Sequence, residues 1–371
     1  MKIQLTARRK KGCSAWSKAP NDAAKVALEL GFVELDVDSL IISRGSFLGR
    51  VLNKLGLLKW VESRLFSLVM FYLSWRFKRG HGGELFIQHP IPNLIYADIQ
   101  RIRRLEEIKK IGVKIIVLVH DVGMLRGETV DVGGKTDVEK EVAIFSLADS
   151  LILHNERMRQ WFINQGYNET KLKVLGFFDY LYKNIERIDL PLNKSNLPRV
   201  AIAGGMTSGG RKYYELLGSI SNVLWKLYGK GYDSTRINGL TIEYCGAFSP
   251  DEIPMKLDAD FGLVWDGDSL ETCSGSRGEY LRYNNPHKLS LYIASGLPVI
   301  VWKESAISDI VTEKGIGVAV SSLKEIASIV SNLSTEEYSL MKKNVQSLGV
   351  ELRNGYFLRN ALQGEEDMAS V

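Results

Sequence analysis

NNPHKLSLYIASGLPVIVW, residues 284–302, reads as a polar turn, a short helix and a buried strand. That grammar builds parallel sheets. At the carboxyl end of such a sheet a helix mouth is an anion site, because its first backbone N–H groups lack partners and its dipole is positive there. His287 and Lys288 stand at this mouth, with Asn285 in the turn before them. A lysine in that place points to a phosphate ligand.

The same alternation of apolar runs and amphipathic stretches extends along the chain. Strands are expected at 2–5, 33–37, 85–88, 114–119, 150–154 and 173–176, with helices over 22–30, 94–108, 138–147 and 156–165. Residues 189–199, DLPLNKSNLPR, have the composition of a linker. Beyond it the pattern restarts, with strands at 200–203, 241–245, 261–265 and 315–320 beside the opening stretch. Helices are expected over 211–228 and 335–362. The chain thus divides into a first doubly wound domain over 1–188, the linker, a second over 200–345, and a helical tail over 346–371 that packs back on the first domain. Ligands of such sheets bind outside the carboxyl ends of the strands.

With 371 residues, 45% of them hydrophobic and 25% charged, the chain has the composition of a globular protein of two domains. Its three cysteines, Cys13, Cys245 and Cys273, show no CxxC spacing, which argues against a disulfide framework or zinc site and for a reducing cytoplasm. The N-terminus has no apolar signal-peptide core. HExxH and GxSxG are absent, so neither zinc nor serine hydrolysis is indicated.

Three further stretches end expected strands in polar groups. VAIAGGMTSGGRKY, 200–213, runs a strand into Gly204 and Gly205, then Gly209, Gly210 and Arg211, a glycine-rich turn that can approach a diphosphate or serve structure alone. It is neither GxGxxG nor a P-loop, which disfavours a nicotinamide dehydrogenase. FGLVWDGDSLETCSGSRGEYLRY, 261–283, ends a strand in Asp266, Asp268 and Glu271, carboxylates able to hold sugar hydroxyls or to cap a loop. Such acids also bind Mg²⁺, but Arg211 and Lys288 already supply positive charge, so no metal is expected. KIIVLVHDVGMLR, 114–126, delivers His120 and Asp121 at a strand end. One of the two is a candidate base, since neighbours on a strand point to opposite faces; a capping role is the alternative. His89, His154 and Asn155 read as cap or turn residues.

The net charge of +5 is unevenly placed. Residues 43–80 carry Arg44, Arg50, Lys54, Lys59, Arg64, Arg76, Lys78 and Arg79 against Glu62, interleaved with Phe47, Trp60, Phe71 and Trp75. The longest uncharged run is far short of the ~20 residues that span a bilayer. The segment reads either as core helices with a solvated basic face or as a segment lying on an anionic membrane. No nucleic-acid-binding motif accompanies the charge.

Two such domains with a basic helix mouth and acids at strand ends look like a GT-B glycosyltransferase. Residues 261–302, together with HDVGMLRG and VLGFFDYL, closely resemble bacterial galactofuranosyltransferases of O-antigen and capsule assembly. A wider resemblance is to the glucosyltransferases that extend GlcNAc on serine-rich-repeat adhesins. The resemblance implies a GT-B fold, two Rossmann-like doubly wound domains facing a cleft, and a UDP-sugar donor, UDP-galactofuranose first, with no cofactor. It makes Lys288 the donor-phosphate lysine and sets Tyr244 against the uracil. Gly204, Gly205 and Arg211 would meet ribose and diphosphate, and the loop 13–18, Ser14 included, would close on the donor. Relatives have Gly-Asn where this chain has Gly204-Gly205, so one donor contact is missing here.

The implied reaction is inverting transfer of a hexosyl residue to a saccharide hydroxyl, with Asp121 as base and Lys288 stabilising the departing UDP. Asp266, Asp268 and Glu271 would hold hydroxyls, and Asn285 and His287 would line the site. The acceptor would sit on a lipid carrier, with the enzyme peripheral at the inner face of the cell membrane, as a monomer or a homo-oligomer. A UDP-glucose-dependent glucosyltransferase acting on a protein-linked glycan and a non-catalytic GT-B-like subunit are the competing readings.

Overall fold

The computed structural model describes residues 1–6, 15–41, 43, 46–126, 135–183, 197–207 and 211–363. Their strands form two six-stranded sheets. The first holds β1 (Lys2–Thr6), β2 (Val33–Asp36), β3 (Gly83–His89), β4 (Val113–Val119), β5 (Ser150–Leu153) and β6 (Leu172–Val174) in the order β2-β1-β3-β4-β5-β6. The second holds β7 (Arg199–Ala203), β8 (Leu224–Tyr228), β9 (Ile242–Gly246), β10 (Phe261–Val264), β11 (Val299–Trp302) and β12 (Gly317–Val320) in the order β12-β11-β10-β7-β8-β9. Every neighbouring pair is parallel. Counted from its own first strand, the second sheet has the doubly wound dinucleotide-fold order, which reverses between β7 and β10; in the first sheet the reversal falls between β1 and β3.

The described residues divide into two compact units. One takes in the first sheet with its helices. The other takes in everything from Leu175, together with His154–Met158 and the start of the first helix up to Ala23.

Strands buried on both faces carry continuous apolar runs, as β4 shows: in VKIIVLV only Lys114 is exposed. The same rule explains a correction. Residues 211–228 are not one helix. They form a short helix, Tyr213–Leu216, a turn through Gly218 and Ser219, and then β8. Its sequence LWKLY lacks strand alternation because Trp225, Leu227 and Tyr228 are all fully buried, while Lys226 lays its stem in the core and pairs with Asp258 at 2.8 Å. Residues 94–108 are also not one helix but three short ones, Asn93–Tyr96, Ile99–Arg103 and Glu106–Lys109. Asp98 interrupts them: it is extended, and its side chain accepts the Gln100 N–H at 2.9 Å.

In the second unit, Trp225, Trp265 and Trp302 fill one side of the core, and Tyr228, Tyr292 and Val301 the other. Burying an apolar side chain of this size contributes about 1.5–3 kcal/mol. One contact sets the site. Helix His287–Ala294 presses the Tyr292 ring onto Gly262 of β10, where a Cβ would stand 2.1 Å from the ring, and Tyr292 Oη accepts the N–H of Ala203 at 2.7 Å. The helix mouth is thereby pinned beside the ends of both switch-point strands. Helix Thr335–Arg353, capped by the Ser334–Glu337 box, runs across the expected boundary at 346, and its Val345, Leu348 and Leu352 join the second unit's core. Helix Tyr356–Gln363 follows.

In the first unit, residues 43–80 contain helices Phe47–Lys54 and Leu58–Arg79. The longer one buries Leu58, Phe66, Val69, Met70, Leu73 and Phe77 at helical spacing. No described helix is long and apolar enough to cross a membrane.

Candidate active site

At the β7/β10 switch point, β10 runs on into Trp265 and Asp266, and β7 into Gly204 and Gly205. Arg211 grips Asp266 through Nε at 2.7 Å and through a second nitrogen at 3.2 Å, while also reaching the Gly205 carbonyl at 3.3 Å. Lys288 Nζ donates to the Trp265 carbonyl at 2.7 Å and lies 3.7 Å from Asp266. Two cations therefore face one carboxylate, leaving net positive charge at the helix mouth. Burial pushes the Asp266 carboxyl up, but Lys288 and Arg211 outweigh it and hold the group below the usual range. Burial lowers Lys288, and Arg211 adds to this against the pull of Asp266. Asp266 is thus engaged in orienting cations rather than open to sugar hydroxyls. Asp268 accepts the backbone N–H of Lys212 at 3.0 Å and so anchors the short helix that follows Arg211. Gly267 between the two acids has φ +107°, and a Cβ there would meet the Ser274 carbonyl at 2.2 Å.

The remaining expected residues are more dispersed. Glu271 turns toward β12, bonded to Ser322 at 2.9 Å and paired with Lys324. Tyr244 lies on edge strand β9, its ring stacked on Tyr232 at 4.4 Å and its hydroxyl donating to the Gly229 carbonyl at 3.1 Å. Asn285 is buried and structural: its amide donates to the His154 and Gly176 carbonyls, its backbone N–H to His154 Nδ1 at 3.0 Å, and its Oδ1 accepts from Asn155 at 2.7 Å. His287 stacks on Tyr180 at 5.2 Å, with Nε2 buried and unbonded. Burial pushes its imidazole down to about 4, against a hydrogen bond to the Asp179 backbone, so it is neutral near pH 7. Ser14, Gly209 and Gly210 lie outside the described residues. Lys18, from the expected closing loop, donates to the Leu181 carbonyl at 2.7 Å and pairs with Asp251 at 2.9 Å.

In the first unit, β3 and β4 end side by side. His120 Nε2 bonds Gln88 at 2.7 Å, and Asp121 pairs with Arg126 at 2.6 Å while a quarter exposed. Beneath them is a device that sequence reading missed. Glu141 accepts the N–H groups of Gly123 at 2.7 Å and Met124 at 3.0 Å, and meets His89 Nε2 at 3.2 Å. Burial raises this carboxyl, but the His89 bond and charge and the two N–H groups win, holding it below its ordinary value. Glu141 thus fixes the turn that carries Asp121. No motif marks it; the only signal was an acid on the apolar side of an amphipathic helix. Among the described residues no three His, Cys, Asp or Glu side chains gather as a metal site.

Two all-parallel doubly wound sheets, one with a cationic array at its switch point, are the parts of a GT-B glycosyltransferase, and solved structures share this fold over the chain's full length. Anabaena Alr3699/HepE in complex with UDP superposes with a TM-score of 0.60 at 12% identity, covering 100% of each chain. The lipopolysaccharide outer core galactosyltransferase WaaB, in its apo form, gives 0.54 at 13% identity, covering 98% of this chain and 99% of that one. Residues 2–177 match the description "Glucosyltransferase 3-like, N-terminal domain" and residues 202–364 "Glucosyltransferase 3-like, C-terminal domain". The chain belongs to this family. It is 33% identical over 254 residues to the beta-1,6-galactofuranosyltransferase WbbI of Escherichia coli (strain K12), covering 67% of this chain and 70% of that protein. It is 27% identical over 348 residues to glucosyltransferase 3 of Streptococcus gordonii, covering 93% and 92%. The chain is a glycosyltransferase of GT-B type.

Proposed function

We propose that the protein is an inverting transferase that moves a galactofuranosyl residue from UDP-galactofuranose to a saccharide hydroxyl in cell-surface polysaccharide assembly, at the inner face of the cell membrane. The observation that carries this reading is the Arg211–Asp266–Lys288 array at the β7/β10 switch point. It offers fixed positive charge where a departing diphosphate gains negative charge, and fixed charge of this kind needs no reorganisation during reaction. Lys288 would meet the diphosphate, Arg211 and the Gly204–Gly205 turn its ribose side, and Tyr244 the base through the face that Tyr232 leaves. Asp121 would take the acceptor proton as the hydroxyl attacks the anomeric carbon, opposite the bond to UDP. The identity to WbbI supports galactofuranose as the sugar.

A second reading keeps the site and changes the sugar: glucose from UDP-glucose, added to a protein-linked glycan. The near-complete coverage of the Streptococcus gordonii glucosyltransferase favours it. Measuring UDP release across a panel of UDP-sugars with a saccharide acceptor decides between the two. UDP-galactofuranose should turn over fastest; preference for UDP-glucose would install the second reading, and no release with any sugar would leave a non-catalytic subunit. We expect full activity in excess EDTA, since Arg211 and Lys288 carry the neutralising charge. Loss in EDTA restored by Mg²⁺ or Mn²⁺ would make Asp266 and Asp268 metal ligands instead.

A further inference from the structure

Helix Leu58–Arg79 has two apolar stripes, and only one is buried. On the opposite side, Trp60, Leu68, Phe71 and Trp75 recur at intervals of three to eight residues and are 58%, 64%, 71% and 40% exposed. Helix Phe47–Lys54 is packed outward in the same sense: its small Gly49 is buried, while Phe47 is 79% and Val51 38% exposed. Apolar side chains this large, gathered on two consecutive helices, mark an interaction surface. Cations are set among them. Arg64 lies over the Trp60 ring at 5.3 Å and Arg79 over Trp75 at 4.5 Å. Over the described part of the segment, seven cations (Arg50, Lys54, Lys59, Arg64, Arg76, Lys78 and Arg79) stand against Glu62 alone.

We propose that these helices form a docking face for an anionic lipid bilayer, lying in the plane of the interface with Phe47, Val51, Trp60, Leu68, Phe71 and Trp75 inserted among the headgroups. Charge selects this occupant. A second copy of the chain would set seven cations against the same seven, whereas an anionic leaflet complements them and also admits the aromatic rings. Guanidinium groups already stacked on Trp60 and Trp75 travel with the rings to headgroup depth. The proposal deepens the placement of the enzyme at the membrane and is independent of which sugar is transferred.

The test is co-sedimentation of the full chain with phosphatidylcholine vesicles, with and without phosphatidylglycerol, at low and high salt. Binding should require phosphatidylglycerol and fall roughly tenfold or more as salt screens the surface. Arg50→Glu combined with Lys54→Glu and Lys59→Glu should remove the preference for anionic vesicles. Phe71→Ser with Trp75→Ser should lower the bound fraction several-fold. In both, the circular dichroism spectrum and UDP release with a soluble acceptor should be unchanged. No sedimentation with anionic vesicles at low salt overturns the proposal, as does equal binding to neutral ones. An oligomer seen by sedimentation velocity that the Phe71→Ser, Trp75→Ser variant dissociates, without vesicle binding, assigns the face to self-association and also overturns it. Vesicle binding without UDP release from any donor would leave the surface standing and remove the reaction.

Discussion

β10 and β4 end alike in sequence, an apolar run followed within two residues by an aspartate, yet the two aspartates stand in opposite surroundings. Asp266 is buried between Arg211 and Lys288, partners that the fold brings from two other elements. Asp121 is a quarter exposed and pairs with Arg126, five residues on in its own turn. The first arrangement is an array with excess positive charge, closed before any ligand arrives. The second is a local pair within reach of solvent. A carboxylate at a strand end therefore has no fixed meaning: its neighbours decide whether it organises cations or can accept a proton.

The largest expected effect falls on the closed array. Lys288→Ala should lower transfer about 10²–10³-fold, the loss of about 3–4 kcal/mol expected for one charge-stabilising donor. UDP affinity, read by calorimetry, should fall with it. Near-normal turnover would mean that the array is structural and that the contrast between the two aspartates says nothing about chemistry.

Asp121→Asn tests the other side. If this carboxylate takes the acceptor proton, transfer should fall roughly 10²-fold or more while UDP affinity is kept. UDP affinity collapsing together with activity would make Asp121 a donor residue and erase the division of labour. Unchanged transfer would pass the proton to His120.

Much of the fold was legible. Eleven of the strands, including the ends of β4, β7 and β10, are legible from short runs bounded by glycine and polar residues; strands buried on both faces, such as β4 and β10, are the densest apolar text in the chain, while β2 and β9 are more exposed. β8 reads as helix in the sequence because LWKLY is buried on nearly every side and has no period to declare itself. At the site, Lys288, Arg211 and Asp266 were each visible as residues, but their mutual contact was not, because it depends on the Tyr292–Gly262 packing that sets the helix mouth beside β10. Asn285 looked like a ligand residue because turns and sites use the same side chains; its bonds to His154 and Gly176 show a staple. Glu141 shows in the sequence only as an acid on the apolar side of a helix, and its partners do not, since the N–H groups it holds belong to a turn 17 and 18 residues away.

Glu141 gives a smaller effect that sharpens the contrast. Glu141→Gln keeps one acceptor oxygen but loses the charge that holds His89 and both N–H groups. The Asp121 turn should loosen, lowering kcat about tenfold with donor KM unchanged, since a positioning error at the reacting group costs orientation rather than donor binding. Equal loss in kcat and in UDP affinity would show a general folding defect instead. An unchanged kcat would show that Asp121 needs no such support.

The smallest effect concerns stability alone, at a buried carboxylate held by backbone N–H groups. Asp179 is buried and accepts the N–H groups of Phe357 at 3.2 Å and Leu358 at 2.8 Å, at the start of helix Tyr356–Gln363. Burial pushes its carboxyl from 3.8 to about 7, with the two N–H groups and the charge of Arg359 opposing and the charge of Asp22 adding to the rise. Asp266, equally buried, goes the other way because two cations flank it. The sign follows from proton uptake. Between pH 4 and pH 7 the folded chain holds a proton on Asp179 that the unfolded chain releases, so this group's contribution falls as pH rises through that window. At full ionisation the shift amounts to at most about 4 kcal/mol, and relaxation around the group should leave about 1–2 kcal/mol to observe. Asp179→Asn keeps an acceptor for one N–H and removes the ionisation. Denaturant melts of the wild type and this variant across the window should show the variant losing less stability toward pH 7, with UDP release unaltered. Parallel pH profiles would show that the Asp179 carboxyl ionises in the folded state as readily as in the unfolded one, and that burial is not what separates it from Asp266.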